Sequence, residues 1–437
     1  MTAEIGIGNQ AGIVLAADSA VSETDYTGQV QAIYDSAQKL YTLDWQHYVG
    51  LMMYGNASFE GTPWSVLVQH YRQQVGSQRL SHLSDYQEAF LHYLVNEPLV
   101  NLPVTDQRST VNRVVSSLTY TLCQDFQYQD RNSDEVALFI KQSLTNSAKN
   151  YAKAANHQLA TNGYSEHQFI TDYQQLLLTV DPAHPDREGL VVKMMKEQAQ
   201  QVGLKLNGDN NYHNLFDEQL QGIWLHAIYI IIFAGLSTGQ WKGNGESGIV
   251  IAGYGQDDDC PVVEQLHLYG SVGSHPVFKR EKIDQIGQLN QVGVPIRNLF
   301  LPFAQTDVAN TLRFGVSDDI YGQLTDTVMN KTDLPVDVKN QINQQLAEYF
   351  YNTYGAPFES EIAMLNIPEL AEIAETMIKV TSFERQYNGD HFATVGGPID
   401  VLAITPNDGP VWIQKKQYFD PNSRENLGWQ LRLQHGM

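Results

Sequence analysis

Two apolar runs open the chain, Ile5-Gly-Ile-Gly8 and Gly12-Ile-Val-Leu-Ala-Ala17, with Asn9-Gln10 between them. Short runs of Ile, Val and Ala bounded by glycine and a polar pair predict a strand, a tight turn and a second strand over 3–8 and 12–17. The run Gly248-Ile-Val-Ile-Ala-Gly253 repeats the pattern, and Ile399–Ile404 and Val411–Lys415 flank a turn at Pro406-Asn-Asp-Gly409. Strands at both ends with helical sequence between them constrain the chain to a layered α+β architecture whose termini share one sheet.

Between these anchors, Ser19–Gly28 is polar and reads as a loop, while Val30–Tyr34, Lys39–Leu43 and Tyr48–Tyr54 read as strands. Gly55-Asn-Ala57 closes the last of them. A helix follows, with Thr62 at its N-cap and Pro63 at its first position. Its core-facing stripe is Trp64, Leu67, Val68, Tyr71 and Val75. From 78 to 245 strand signals vanish and helical periodicity takes over, around 84–95, 108–126, 134–161, 166–178 and 216–236. The reading is one domain formed by 1–77 and 246–437, with 78–245 a helical insertion. Val338, Ile342, Leu346, Tyr349 and Phe350 mark one later helix. Leu370, Ile373, Ala374, Met377 and Ile378 mark another, starting near Pro368.

Composition excludes several classes. Lys and Arg total 27 against 49 Asp and Glu, a formal charge of −22, which gives no general attraction to nucleic acid or an anionic membrane. The two cysteines, Cys123 and Cys260, exclude a disulfide scaffold and a multi-cysteine zinc site and suit a reducing compartment. The apolar run Ile223–Leu236 is shorter than the roughly twenty residues of a spanning helix, and no basic segment of a signal peptide precedes Thr2. A cytoplasmic protein is expected. The thirteen histidines show no metal spacing, Asp257-Asp-Asp259 reads as a solvated turn, and there is no P-loop, Gly-x-Ser-x-Gly elbow or His-Glu-x-x-His. No cofactor and no metal are expected.

The chemistry-bearing residues lie near the start. Excision of Met1 would leave Thr2 as the first residue, carrying both a hydroxyl and an α-amine whose ordinary pKa is about 7.7–8.0. Such an amine serves as the base for its own hydroxyl. A cation must favour the neutral amine, and a donor must hold the oxyanion. Lys39 would supply the cation and Asp18, at a strand tip, would fix it by a charge-assisted hydrogen bond. A backbone N–H at Gly55 would serve the oxyanion.

The joint order of Thr2 with Ile5-Gly-Ile-Gly8, Gly12-Ile-Val-Leu-Ala-Ala-Asp-Ser19, Gln38-Lys39-Leu40 and Met53-Tyr-Gly-Asn-Ala57 resembles the N-terminal third of proteasome β-type subunits and of their bacterial relative. These are N-terminal-nucleophile hydrolases. The resemblance is tight over roughly 2–75. It implies a four-layer αββα sandwich, here with a large helical insertion. It implies Thr2 as nucleophile, Asp18 and Lys39 as the supporting pair, and Gly55 as oxyanion donor. Gly396-Gly397-Pro-Ile-Asp-Val401 resembles the family's Asp-x-x-Ser-Gly-Gly segment, which implies site roles for Asp390 and Thr394, although His391–Val395 intervenes. Gly315-Val-Ser317 stands nearest to its Gly-Ser-Gly-Ser loop. The implied function is a threonine hydrolase acting on peptide or other amide bonds, homo-oligomeric, with an unfoldase as a possible partner. The alternative is a non-catalytic scaffold or binding subunit of the same fold.

Overall fold

The structure, a computed structural model, describes residues 3–24, 30–35, 37–43, 46–96, 246–272, 275–281, 283–290, 293–387 and 395–417. The first part runs β1 (Ala3–Asn9), β2 (Gly12–Ala17), β3 (Val21–Thr24), β4 (Val30–Tyr34), β5 (Leu40–Thr42), β6 (Val49–Gly55), β7 (Ser58–Phe59), β8 (Thr62–Pro63), α1 (Trp64–Val75) and α2 (Leu83–Asn96). The second part begins with β9 (Ser247–Gly253), β10 (Val262–Val272), β11 (His275–Glu281) and β12 (Asn298–Ala304). Helices α3 (Asp307–Phe314), α4 (Asp318–Asn330) and α5 (Val336–Phe350) follow. A π-helical turn, Tyr351–Gly355, leads into α6 (Ala356–Ile362) and α7 (Ile367–Tyr387), and β13 (Asp400–Thr405) and β14 (Gly409–Gln414) complete the order.

Two five-stranded antiparallel sheets result, in the orders β12-β1-β2-β13-β14 and β11-β10-β9-β6-β5. The first and last hairpins of the chain lie side by side, because β13 pairs with β2 from Asp400↔Ala17 to Ile404↔Ile13. The period of two sorts each strand between two cores. Ile5, Ile7, Val14, Ala16, Val401 and Ala403 face Leu370, Ala374 and Ile378 of α7. Ile13, Leu15, Leu402 and Ile404 turn the other way, onto Leu40, Met52, Val250 and Ala252 of the second sheet. The opposite face of that sheet, through Leu51, Met53, Ile249 and Ile251, meets Trp64, Leu67 and Val68 of α1 and Phe90 and Leu94 of α2.

Several expectations change. Val21–Thr24, read as loop, pairs with β4 as a two-stranded ribbon, because a polar strand held on one edge needs no apolar alternation. Thr62 and Pro63 form β8 against β7, so α1 begins at Trp64 with Pro63 at its N-cap. Leu83–Asn96, counted with the insertion, packs in one core with α1. The periodic stripe of α5 marks a helix but not burial: neither α4 nor α5 has a buried residue. These two helices meet each other, Tyr321 edge-on to Phe350 at 6.1 Å. Cys123 and the helical periods from 108 to 236 lie outside the described residues.

Candidate active site

Asp18 follows the last residue of β2, and the β1–β2 ladder continues one step through it: its amide donates to the Ala3 carbonyl at 3.1 Å. Its carboxylate is a buried hub. Oδ1 accepts from the Ala3 amide at 3.2 Å and from Lys39 Nζ. Oδ2 accepts from the Gly396 amide at 2.9 Å and the Ala20 amide at 3.4 Å. Ser19 strengthens the junction, donating its amide to the Gly396 carbonyl at 3.1 Å and its hydroxyl to the Pro398 carbonyl. The Gly396-Gly397 segment therefore reaches the N-terminal hairpin through hydrogen bonds to both Asp18 and Ser19.

Lys39 precedes β5, and its carbonyl accepts from the Met53 amide at 2.9 Å, fixing its backbone on the edge of β6. Its side chain runs inward to Asp18 and to Glu4, with Nζ 3.3 Å from Glu4 Oε1. All three are secluded from solvent: Lys39 is 6% exposed, Glu4 2% and Asp18 1%. A charge in such a place is tolerated only when it is paired and hydrogen-bonded, since removing one partner of a buried pair costs about 3–5 kcal/mol. The sequence reading passed over Glu4. Its signal is in the sequence, because an acidic residue between Ala3 and Ile5 at the start of a mostly apolar strand calls for a buried partner.

Gly55 ends β6 with φ 80°, a left-handed conformation that glycine adopts without penalty. A Cβ there would collide with the Glu246 carbonyl, which accepts from the Asn56 amide at 2.9 Å. Amides alternate in direction along a strand. Met53 donates toward Lys39, so the Gly55 amide, two residues on, lies on the same side, beyond the first residue of β5.

On the inner face of β6, Tyr54 lies over Gly248 and stacks on Phe303 at 5.7 Å. Its hydroxyl accepts from Gln265, which also meets His267 at 3.2 Å, and His267 Nδ1 is 2.8 Å from Glu246 Oε1. Burial pushes the Tyr54 phenol up, the Gln265 hydrogen bond opposes this, and the negative charges of Glu246 and Glu4 add to the rise. A cavity of about 430 Å³ is lined by Asp18, by Lys379 and Phe383 of α7, by Gly396–Ile399 and by Gln414.

Of the residues expected at the site, Asp18 and Lys39 are in direct contact and Gly55 ends β6, the strand whose Met53 amide bonds to the Lys39 carbonyl. Thr2, Asp390 and Thr394 lie outside the described residues. Gly315-Val-Ser317 is a helix junction and no site loop: Gly315 caps the end of α3 with φ 71° and Ser317 caps the start of α4, accepting from the Ile320 amide. Among the described residues no group of three or more His, Cys, Asp or Glu side chains is arranged to hold a metal ion, and no helix is long and apolar enough to cross a membrane.

No protein-family model matches the chain, and no curated protein sequence matches it. Among solved structures, one described as the helical assembly of the Anbu complex from Pseudomonas aeruginosa aligns over 99% of this chain and 95% of its own, at 10% identity and a TM-score of 0.29. A likeness at that score does not establish a shared fold. The expected membership of the proteasome β-type subunits and N-terminal-nucleophile hydrolases is therefore not upheld: the motif order over 2–75 is matched by no family model, and the structural likeness is too weak to replace one.

Proposed function

We propose that the chain is a threonine hydrolase that cleaves peptide or other amide bonds, with Thr2, freed by removal of Met1, as nucleophile and its own α-amine as base. The observation that carries this reading is the pair of hydrogen bonds that Asp18 Oδ1 accepts, from Lys39 Nζ and from the Ala3 amide. A buried ion pair is thereby clamped to the backbone of the residue bonded directly to Thr2. The helix–sheet–sheet–helix layering belongs to the same reading and is supported by the three separate apolar cores.

In the proposed cycle, Thr2 Oγ adds to the scissile carbonyl as its proton passes to the α-amine. The Gly55 amide stabilises the oxyanion. Collapse expels the leaving amine, which takes the proton from the α-ammonium, and leaves an ester on Oγ. Water then attacks that ester with the α-amine again as base, releasing the acid and restoring the hydroxyl. The supporting task of Lys39 is electrostatic: a fixed positive charge favours the neutral, basic form of the amine. A homo-oligomer working in the cytoplasm completes the proposal.

Intact-mass measurement and labelling with a threonine-reactive epoxyketone or boronate test it. The expected outcome is a chain lacking Met1 that is labelled once, and a Thr2→Ala chain that folds but takes no label. Retention of Met1, or equal labelling of both chains, would sink the reading. The second reading, a non-catalytic scaffold or binding subunit, is favoured by one observation: α4 and α5 expose Ile320, Leu324, Val336 and Tyr349, surface suited to a partner.

A further inference from the structure

Ser19 is fully buried, and each of its polar groups has a partner outside its own hairpin. Its amide donates to the Gly396 carbonyl at 3.1 Å and its hydroxyl donates to the Pro398 carbonyl. Its own carbonyl accepts from the Ala37 amide at 3.1 Å. This inference rests on the proposed threonine hydrolase, whose supporting pair is Asp18 and Lys39. We propose that Ser19 is a positioning residue of that site: its hydroxyl fixes the bend from Gly396 to Pro398, so that the Gly396 amide holds the Asp18 carboxylate where Lys39 meets it.

Gly397 holds φ 74°, so the backbone turns sharply between the two carbonyls that Ser19 grips. Two donors from one residue, placed before and after such a bend, leave it little freedom to rotate. Asp35 packs against the same bend: a Cβ on Gly397 would lie 2.9 Å from the Asp35 Cβ. Within it, Gly396 turns its carbonyl to Ser19 and its amide to Asp18 Oδ2, the latter at 2.9 Å. The peptide that steadies Asp18 is thus oriented by the residue next to Asp18 in sequence. The third bond reaches the other partner. Ala37 stands two residues before Lys39, whose carbonyl accepts from the Met53 amide at 2.9 Å. The main chain that delivers Lys39 is therefore pinned both at Ser19 and at β6. A substitution can remove the hydroxyl alone: the Pro398 carbonyl then loses its donor, while both main-chain bonds of Ser19 persist. Misplacing a supporting group by about 1 Å is enough to slow the chemistry by roughly 10²-fold.

The test compares Ser19→Ala, Ser19→Thr and Ser19→Cys with wild type, as full chains, after circular dichroism and urea unfolding establish that each is folded. Amide hydrogen exchange, read at residue resolution by mass spectrometry, follows Gly396 and Ala37, and the rate of labelling with a threonine-reactive epoxyketone follows the site. In Ser19→Ala the Gly396 amide is expected to exchange roughly tenfold faster, with Ala37 and the amides of α7 at wild-type rates. Labelling is expected to slow by about 10- to 100-fold. Ser19→Thr keeps the donor and restores both. Where its extra methyl group prevents folding, Ser19→Cys, a weak donor, should fall between wild type and Ser19→Ala. An unchanged labelling rate in folded Ser19→Ala overturns the proposal, whether exchange speeds up locally, throughout or not at all. Slower labelling without faster exchange at Gly396 overturns it too, because the effect would not pass through Asp18. A wild-type chain that takes no label, with the local effect at Gly396 present, would remove the hydrolase reading instead and leave Ser19 assigned to holding Asp18.

Discussion

The Gly396 amide donates to Oδ2 of Asp18 at 2.9 Å, joining backbone and carboxylate across 378 residues of chain. Asp18 is thereby held from three sides, by its own hairpin, by Lys39 and by the segment that leads into β13. The site's geometry depends on both ends of the chain at once.

Removing that hub should be costly. Asp18→Ala takes from the Lys39 ammonium its Asp18 partner and strips an acceptor from the Ala3, Ala20 and Gly396 amides. A loss of about 3–5 kcal/mol is expected, read by urea denaturation. A loss below about 1 kcal/mol would mean that solvent reaches the cluster.

Gly55→Ala should act on both stability and chemistry. The residue holds φ 80° and an added Cβ would strike the Glu246 carbonyl. Strain of about 1–3 kcal/mol is expected in thermal or urea unfolding. If the amide is the oxyanion donor, its displacement should slow labelling by about 10²–10³-fold. Unaltered labelling kinetics in a destabilised variant would remove Gly55 from the chemistry.

Gly248 and Tyr54 should be strongly non-additive. A Cβ on Gly248 would fall within the Tyr54 ring, so Gly248→Ala alone should cost about 1–3 kcal/mol by overpacking. In a Tyr54→Ala background the same change should cost little, giving a coupling of about 1 kcal/mol or more in a double-mutant cycle. Additivity would mean that the ring does not occupy this position in solution.

Glu264 should make stability fall with rising pH. Burial is the main cause that raises its carboxyl above the ordinary value of 4.5; Arg280 opposes the rise, and Glu88 and Asp258 add to it. A carboxyl raised on folding binds its proton more readily in the folded chain. Its contribution is therefore most favourable below 4.5 and is lost as pH climbs through the raised folded value. Glu264→Gln should raise the thermal midpoint at pH 7, with the gain shrinking below pH 4.5. An equal gain at both pH values would refute the assignment.

What local sequence decides is visible in the hairpins and helices that carry their own signals. β1, β2, β6, β9, β13 and β14 follow from alternating apolar residues and turn glycines, and α1 and α7 from stripes of period 3.6. Asp18 at a strand tip is a local pattern, whereas the contact that Lys39, read as the first residue of a strand, makes with it is not. β3, β12 and the join of Gly396 to Asp18 are not local either, since pairing depends on partners that can be hundreds of residues away. Glu4 shows the division most plainly. Its presence in an apolar strand is a fact of sequence, but which cation it meets is decided by the packing of the first sheet on the second, which brings Lys39 from the edge of β6 onto the end of β1. The same holds for α5, whose apolar periodicity specifies a helix, while only the tertiary arrangement determines whether a surface exists to cover it. Secondary structure needs neighbours within one turn or one hairpin. A charged cluster between sheets needs the whole fold, because no local segment contains both of its signs.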